Sequence, residues 1–323
     1  MSASGLPYRL RPAKYVDREL FAELVAQIVA QNGRDGWMYA SMAGEHLIDI
    51  QAIYRRSGIK AFYTFDGDER VVERQKFNQP LPNIQFGHHM STELADRLDA
   101  VVEKAEAQRL IVWLDFTGTG SRKDQLDDFV AVLRKLAPGD VCRITMDAGH
   151  YFFKQLRDHL VPEGMEEEPV HIKVAAAFRE ALAPYSNPKT TALDKAEIAN
   201  ELVQCIGRAC PMANARVDGN VQFVPLLLTR YGDESTMITV TVRCEKEDQP
   251  LNIPASWDWA PADWSDVLMI NADLLSPRER ATADARIDDP DVVCTELPFV
   301  DEDTIRAYAR FHRYQPNFQN VAE

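Results

Sequence analysis

The sequence predicts an α/β protein: a doubly wound, mainly parallel sheet with antiparallel edge strands and a helical, irregular C-terminal extension. Three observations lead there. Leu110-Ile-Val-Trp-Leu114 runs without a polar break into Asp115 and a turn bearing Gly118 and Gly120, the pattern of a strand buried on both faces. Between Trp37 and Asp147, five strand-like runs alternate with helical periodicities. Such alternation specifies βαβ units and a parallel sheet, and right-handed crossovers make the sheet doubly wound. Finally, 221–229 and 235–244 are β-rich and joined by Arg230-Tyr231-Gly232-Asp233-Glu234, which reads as a hairpin suited to an antiparallel edge.

The elements follow in order. Asp17 is placed to cap a first helix running to about Gln31, with Leu20, Leu24 and Ile28 on one face. Asn32-Gly33-Arg34-Asp35-Gly36 ends it. The first strand spans 37–43 and closes at Gly44; a helix around Leu47, Ile48, Ile53 and Tyr54 stops at Ser57-Gly58. The second strand, 60–65, closes at Asp66-Gly67-Asp68, and a charged helix over 69–78 runs up to Pro80 and Pro82. A third strand at 83–86 closes at Gly87-His88-His89. Leu94, Leu98, Val101, Val102 and Ala105 mark an amphipathic helix over 92–108. After the fourth strand, Leu126, Phe129, Val130, Leu133 and Leu136 mark a helix stopped by Pro138-Gly139, and 140–147 holds the fifth strand. Beyond His150 the segments 151–160, 171–182 and 193–209 read as helices, 252–264 as an irregular packed loop and 301–313 as a closing helix. The expected organisation is an N-terminal helical segment (1–34), a Rossmann-like cofactor-binding core (35–150) and a C-terminal substrate or partner region (151–323) carrying the helical insert and edge strands.

Composition narrows the function. A formal net charge of -14 opposes non-specific attraction to nucleic acid, whose binding depends on phosphate neutralisation. A small-molecule or protein substrate is therefore favoured, with a local basic groove left open. No apolar run reaches the roughly 18 residues of a membrane span. Arg9, Arg11 and Lys14 precede no apolar h-region, so no secretory signal is expected. Cys142, Cys205, Cys210, Cys244 and Cys294 are scattered, which suggests reduced thiols, a cytoplasmic location and no metal site. The oligomeric state is left open.

The chemistry lies at the strand ends. Residues 41–46, 66–68, 87–89 and 115–120 share one edge of a parallel sheet, so they face one cleft. Gly44 lets backbone approach a ligand, and the helix behind it offers free N–H groups to an anion. Asp66 or Asp68 can accept bonds from both hydroxyls of a ribose. Each has a plainer reading: Gly44 as a turn glycine, Asp66-Gly67-Asp68 as a turn capping the helix at Glu69, His88 and His89 as turn residues. A histidine serving as a base would suit the task, with an ordinary pKa of about 6.5. Glu45, His46 and Asp49 are candidates for the same cleft because i and i+4 share a helix face. Tyr39 and Trp113 read as core. Arg230, Tyr231, Trp257, Trp259 and Trp264 read as a packed lid, or else as a partner or substrate surface.

These stretches carry a family resemblance. Ser41-Met-Ala-Gly-Glu45 resembles a degenerate form of the first, glycine-rich motif of class I S-adenosylmethionine-dependent methyltransferases, and Phe62-Tyr-Thr-Phe-Asp66 is similar to the second. Asp115-Phe-Thr-Gly118 falls where members acting on nitrogen carry Asp-Pro-Pro-Tyr, and Ile144-Thr-Met-Asp147 also falls in family order. The resemblance covers about 35–147. It implies a Rossmann-like methyltransferase fold and S-adenosylmethionine as cofactor. Asp66 would then hold the ribose and Gly44 the amino-acid end, with Ser41, Glu45, Asp68 and His88 as further cofactor contacts. Asp115 would place an N or O nucleophile. The first motif departs from the family in having one glycine and an uncharged strand, and the fourth lacks its prolines. Two functions follow: a methyltransferase, or a binding or regulatory partner on a methyltransferase scaffold whose site has decayed. A dehydrogenase fits less well, since G-x-G-x-x-G is missing.

Overall fold

The computed structural model describes residues 11–316 apart from 117, 119, 215–219, 233 and 234. The first helix, α1 (Pro12–Asn32), starts earlier than Asp17. Proline suits a first helical position because its missing N–H has no helical partner there, and Asp17 is a buried residue inside the helix, not its cap. Then strands and helices alternate: β1 (Trp37–Ser41), α2 (Ile48–Ser57), β2 (Ala61–Asp66), α3 (Glu69–Phe77), β3 (Ile84–His88), α4 (Leu94–Lys104), β4 (Arg109–Asp115), α5 (Arg122–Leu133) and β5 (Val141–Asp147). The predicted helix over 92–108 is shorter at its end. Glu106 takes the left-handed conformation at φ 51°, and Ala107 N–H returns to Val102 C=O at 3.1 Å, a closing turn that stops α4 at Lys104.

Helices α6 (His150–His159), α7 (Val170–Ala181) and α8 (Ile198–Ala209) follow, then β6 (Val221–Gly232), β7 (Thr236–Lys246) and β8 (Leu268–Ile270). Helix α8 starts after the predicted 193 because a turn closed by Glu197 N–H on Asp194 C=O precedes it. β6 runs past Thr229 to Gly232, and residues 233 and 234 of the expected hairpin turn lie outside the described residues. The chain ends with α9 (Pro277–Asp284), α10 (Pro290–Glu296) and α11 (Glu302–Phe311). Helices α9 and α10 begin on Ser276-Pro277 and Asp289-Pro290, each a capping side chain followed by proline.

The sheet order is β3-β2-β1-β4-β5-β7-β6-β8. β1, β2, β3, β4 and β5 pair in parallel, and β7 runs antiparallel to β5. The doubly wound, mainly parallel sheet with an antiparallel edge is thus the observed architecture. Side chains alternate between its faces. One face is apolar: Met38, Ala40, Phe65, Val112, Leu114, Ile144, Met146, Val240 and Val242 pack with Leu98 of α4, Phe129 and Leu133 of α5, and Leu202 and Ile206 of α8. The registers align Thr64, Ser41, Trp113, Arg143 and Thr241 across the opposite face. There Arg143 Nη1 donates to Thr241 Oγ1 at 2.9 Å and its guanidinium lies 4.9 Å from the Trp113 ring centre.

Two compact units emerge. Residues 22–230 and 235–268 contain the main core. The irregular segment 252–264 packs within this unit: Trp257 Nε1 donates to Leu226 C=O at 2.8 Å, and Trp264 lies against Gly207 of α8. Residues 11–21, 231–232 and 269–316 form the second unit. Its small core joins Leu275, Ala283, Val293, Leu297, Ile305 and Tyr308. Among the described residues no helix is long and apolar enough to cross a membrane.

Candidate active site

A mismatch in strand length shapes the carboxyl edge. Ser41, the last residue of β1, is level with Thr64 of β2 and Trp113 of β4. β2 and β4 each continue two residues further, to Asp66 and Asp115. At the usual rise and spacing of strands, both lie roughly 7 Å beyond Ser41 and about 10 Å apart, flanking the chain as Met42 and Ala43 leave β1 between them. The sequence places of Ser41, Asp66, His88 and Asp115 all fall on one face of the sheet, by alternation and register. In the order 2-1-4 the carboxyl end of β1 is the topological switch point, where doubly wound sheets hold ligands.

The chain leaves β1 between its two neighbours. Met42 N–H reaches Trp113 C=O at 3.4 Å and Ala43 N–H reaches Thr64 Oγ1 at 3.4 Å. It then turns through two left-handed residues, Gly44 at φ 60° and Leu47 at φ 52°. No side chain caps the N-terminus of α2. Asp49, in its first turn, is turned inward: its Oδ2 accepts from Tyr39 Oη at 2.8 Å and Ser41 Oγ at 2.6 Å. Burial, then the neighbouring Asp49 carboxylate, pushes the Tyr39 phenol well above its usual range. Asp49 therefore anchors the end of β1 and does not line an open cleft. His46 is exposed.

On the β2 side, Asp66 is half-buried. Its Oδ1 accepts from Asp68 N–H at 2.8 Å, and among the described residues its Oδ2 accepts no hydrogen bond. Burial raises its pKa above the ordinary value; the Asp68 N–H opposes the shift, and the carboxylates of Asp68 and Glu45 add to it. Asp68 is exposed, and its Oδ1 caps α3 through Arg70 N–H at 2.9 Å. Glu45 pairs with Arg74, and its carbonyl accepts from Asn78 Nδ2 at 2.9 Å, fastening the β1–α2 turn to α3.

The two histidines separate. His88 is exposed and level with Asp66; its Nε2 donates to Gly67 C=O at 3.2 Å. His89 is buried, its ring stacked on Phe65 at 4.7 Å and 9°. A carbonyl only accepts, so Nδ1 donates to Met90 C=O at 2.8 Å, which leaves Nε2 to accept from Tyr63 Oη at 2.5 Å. Burial lowers the His89 pKa and pushes Tyr63 up to about 12. A side chain at Gly87 would collide with Tyr63 Oη, so this packing requires glycine.

Asp115 is half-buried and level with Thr145, which also accepts from Trp113 Nε1 at 2.9 Å. Phe116 N–H reaches Thr145 C=O at 3.1 Å, and its ring joins the apolar core. Two residues at this edge escape a sequence reading. Arg122 is 2% exposed; its Nε donates to Asp147 C=O at 3.0 Å and its Nη1 to Gly120 C=O at 2.6 Å. Asp147 Oδ1 accepts from Gly149 N–H at 2.7 Å and Ser235 Oγ at 2.6 Å. The one available signal is Asp147 ending the fifth strand-like run. A cleft of about 700 Å³, lined by Arg34, Trp37, Tyr54, Arg55 and Lys60, opens at the opposite, amino edge of β1 and β2.

A doubly wound sheet with carboxylates at its switch point defines an α/β protein of the class whose members place ligands at the carboxyl edge. By sequence, the chain belongs to the family described as "Putative O-methyltransferase", whose model matches residues 6–323. No curated protein matches the sequence. Among solved structures, the chain is similar to Trm1 from Pyrococcus horikoshii, solved with S-adenosyl-L-methionine, at 13% identity and a TM-score of 0.46; the match covers 72% of this chain and 55% of that one. It is also similar to the O-methyltransferase TomG from Streptomyces achromogenes, solved with SAM (10% identity, TM-score 0.36, 70% and 79% covered). A third is human N-acetylserotonin methyltransferase, solved with SAM (11% identity, TM-score 0.34, 72% and 55% covered). The chain thus spans about half the length of the Trm1 and human chains.

Proposed function

We infer that this protein is an S-adenosylmethionine-dependent methyltransferase acting on an oxygen nucleophile. The observation that carries the reading is the pair of carboxylates, Asp66 and Asp115, flanking the chain as it leaves β1 at the switch point, in a chain of an O-methyltransferase family. The residues there fit the cofactor. Asp66 Oδ2 has no hydrogen-bond partner among the described residues, and an ionised carboxylate oxygen suits ribose hydroxyls. The uncapped N-terminus of α2 suits the carboxylate of the amino-acid end. Gly44 and Ser41 bring backbone close to that end, Glu45 and Asp68 hold the turns on either side, and His88 stands at the outer rim.

When bound, S-adenosylmethionine supplies the methyl group. Asp115 would accept the hydrogen bond of the acceptor hydroxyl, aim its oxygen at the methyl group, and take its proton as the oxygen–methyl bond forms and the thioether S-adenosylhomocysteine leaves. Methyl transfer to oxygen requires in-line approach, so holding the two partners in line contributes most of the rate. The net charge of -14 disfavours nucleic acid, so a small hydroxylated molecule is the substrate class proposed.

Calorimetric titration with S-adenosylmethionine and S-adenosylhomocysteine tests the reading. Binding is expected in the wild type and absent in Asp66→Ala. No heat with either compound, at a protein shown to be folded, would remove it.

A further inference from the structure

We propose that Arg122 is the positioning residue of the acceptor side of the site, fixing the loop that follows Asp115 against the carboxyl end of β5. This rests on the proposed role of Asp115. Arg122 is the first residue of α5, directly behind the Ser121 cap. Its guanidinium bridges two strand ends. Nη1 donates to Gly120 C=O at 2.6 Å and reaches toward Gly118 C=O at 3.5 Å. Nε donates to Asp147 C=O at 3.0 Å. Nη2 lies 3.3 Å from Asp147 Oδ2, close enough for an ion pair though not aligned for a hydrogen bond.

The far side of this clamp is itself fixed. Asp147 Oδ1 is held by Gly149 N–H and Ser235 Oγ, and a Cβ on Gly149 would collide with that Ser235 hydroxyl. The guanidinium lies 4.8 Å from the ring centre of Phe152 on α6. A buried cation is costly unless paired and hydrogen-bonded, so this geometry holds only while the carbonyls of the β4 loop stay in place. Lysine cannot replace it: an ammonium is a point charge, whereas the planar fork reaches both strand ends at once. The position of the Gly118 and Gly120 carbonyls thereby depends on the end of β5 and on Ser235, just before β7, as well as on β4.

The test uses full-length wild type, Arg122→Lys, Arg122→Gln and Arg122→Ala. Hydrogen exchange by mass spectrometry with residue-resolved fragmentation reads the Phe116 amide. Exchange at the Phe116 amide, which is bonded to Thr145 C=O, is expected to rise at least tenfold in each variant, with 41–47 and 66–70 unchanged, and ethylguanidinium but not ethylamine should restore protection in Arg122→Ala. Calorimetry with S-adenosylmethionine should give Kd values within threefold of wild type. Methylation of catechol, 4-hydroxybenzoate and 3,4-dihydroxybenzoate is followed through S-adenosylhomocysteine release. For any acceptor the wild type uses, kcat/KM should fall at least thirtyfold in Arg122→Lys. Unchanged exchange at Phe116, equal rescue by ethylamine, or wild-type kcat/KM in Arg122→Lys would each overturn the proposal. Failure of the wild type to bind S-adenosylmethionine sinks the methyltransferase reading instead, and the exchange and rescue measurements still decide whether Arg122 holds the loop.

Discussion

Replacing Asp66 with asparagine separates binding from folding. Asparagine keeps an oxygen that can accept from Asp68 N–H, the 2.8 Å bond that shapes the turn. It replaces Oδ2, the proposed ribose acceptor, with an amide donor and removes the charge. A hydrogen bond to a charged group contributes about 1.5–3 kcal/mol, so losing this recognition should weaken S-adenosylmethionine binding roughly 10- to 150-fold. Stability should move the other way or not at all. Burial and the carboxylates of Asp68 and Glu45 raise the Asp66 pKa, so its charge is a burden in the folded state. A raised carboxylate contributes stability that is present below its unfolded pKa and lost as pH rises through the folded one. The same raised pKa makes cofactor affinity fall, on acidification, at a higher pH than an ordinary carboxylate would give, and Asp66→Asn should flatten that fall. Titration calorimetry at several pH values and urea unfolding read both quantities. A Kd within threefold of wild type in folded Asp66→Asn would refute the reasoning.

Other perturbations probe neighbouring features. Asp115→Asn should keep the S-adenosylmethionine Kd within threefold while lowering kcat at least about 100-fold, the lower range of a positioned acid–base group; unaffected turnover would end its assigned role. Gly87→Ala drives a methyl group into Tyr63 Oη and His89 and should cost about 1–3 kcal/mol in urea unfolding, the usual range for overpacking. Burial lowers the His89 pKa. Its contribution is therefore present above the unfolded histidine pKa and is lost as pH falls through the folded value. Wild type should lose stability on acidification below about pH 6.5, and part of that slope should disappear in His89→Gln; an unchanged slope counts against the assignment.

The βαβ series was legible because each strand is a short apolar run and each crossover keeps a helical period. Asp66 and Asp115 were legible for the same reason: an acidic residue directly after a buried run stands at a strand end. The edges were harder. Helix α1 starts five residues before Asp17, at a proline whose place in the first turn hid the start. β8, α9 and α10 are three, eight and seven residues long, too short for periodicity to register, although Ser276-Pro277 and Asp289-Pro290 announce the two helices. His88 and His89 look equivalent in sequence, yet one faces outward beside Asp66 and the other stacks in the core. Arg122 and Asp147 lie 25 residues apart, and nothing local in either segment shows that they meet.

The single glycine of the first turn, which weakened the family resemblance, has a physical answer in Leu47. The turn needs two left-handed residues, and only Gly44 enters that region without steric cost. Leu47 enters it at a penalty of roughly 1–2 kcal/mol. Its side chain is fully buried, and burying a leucine contributes about 1.5–3 kcal/mol. The turn is therefore held by packing where a glycine-rich sequence would rely on conformational freedom. Behind it, Asp49 locks Ser41 and Tyr39 of β1, so β1 stops while β2 and β4 run on. A glycine-poor first motif and two carboxylates at the switch point are compatible for that reason: packing holds the turn, and the longer β2 and β4 carry Asp66 and Asp115 to either side of it.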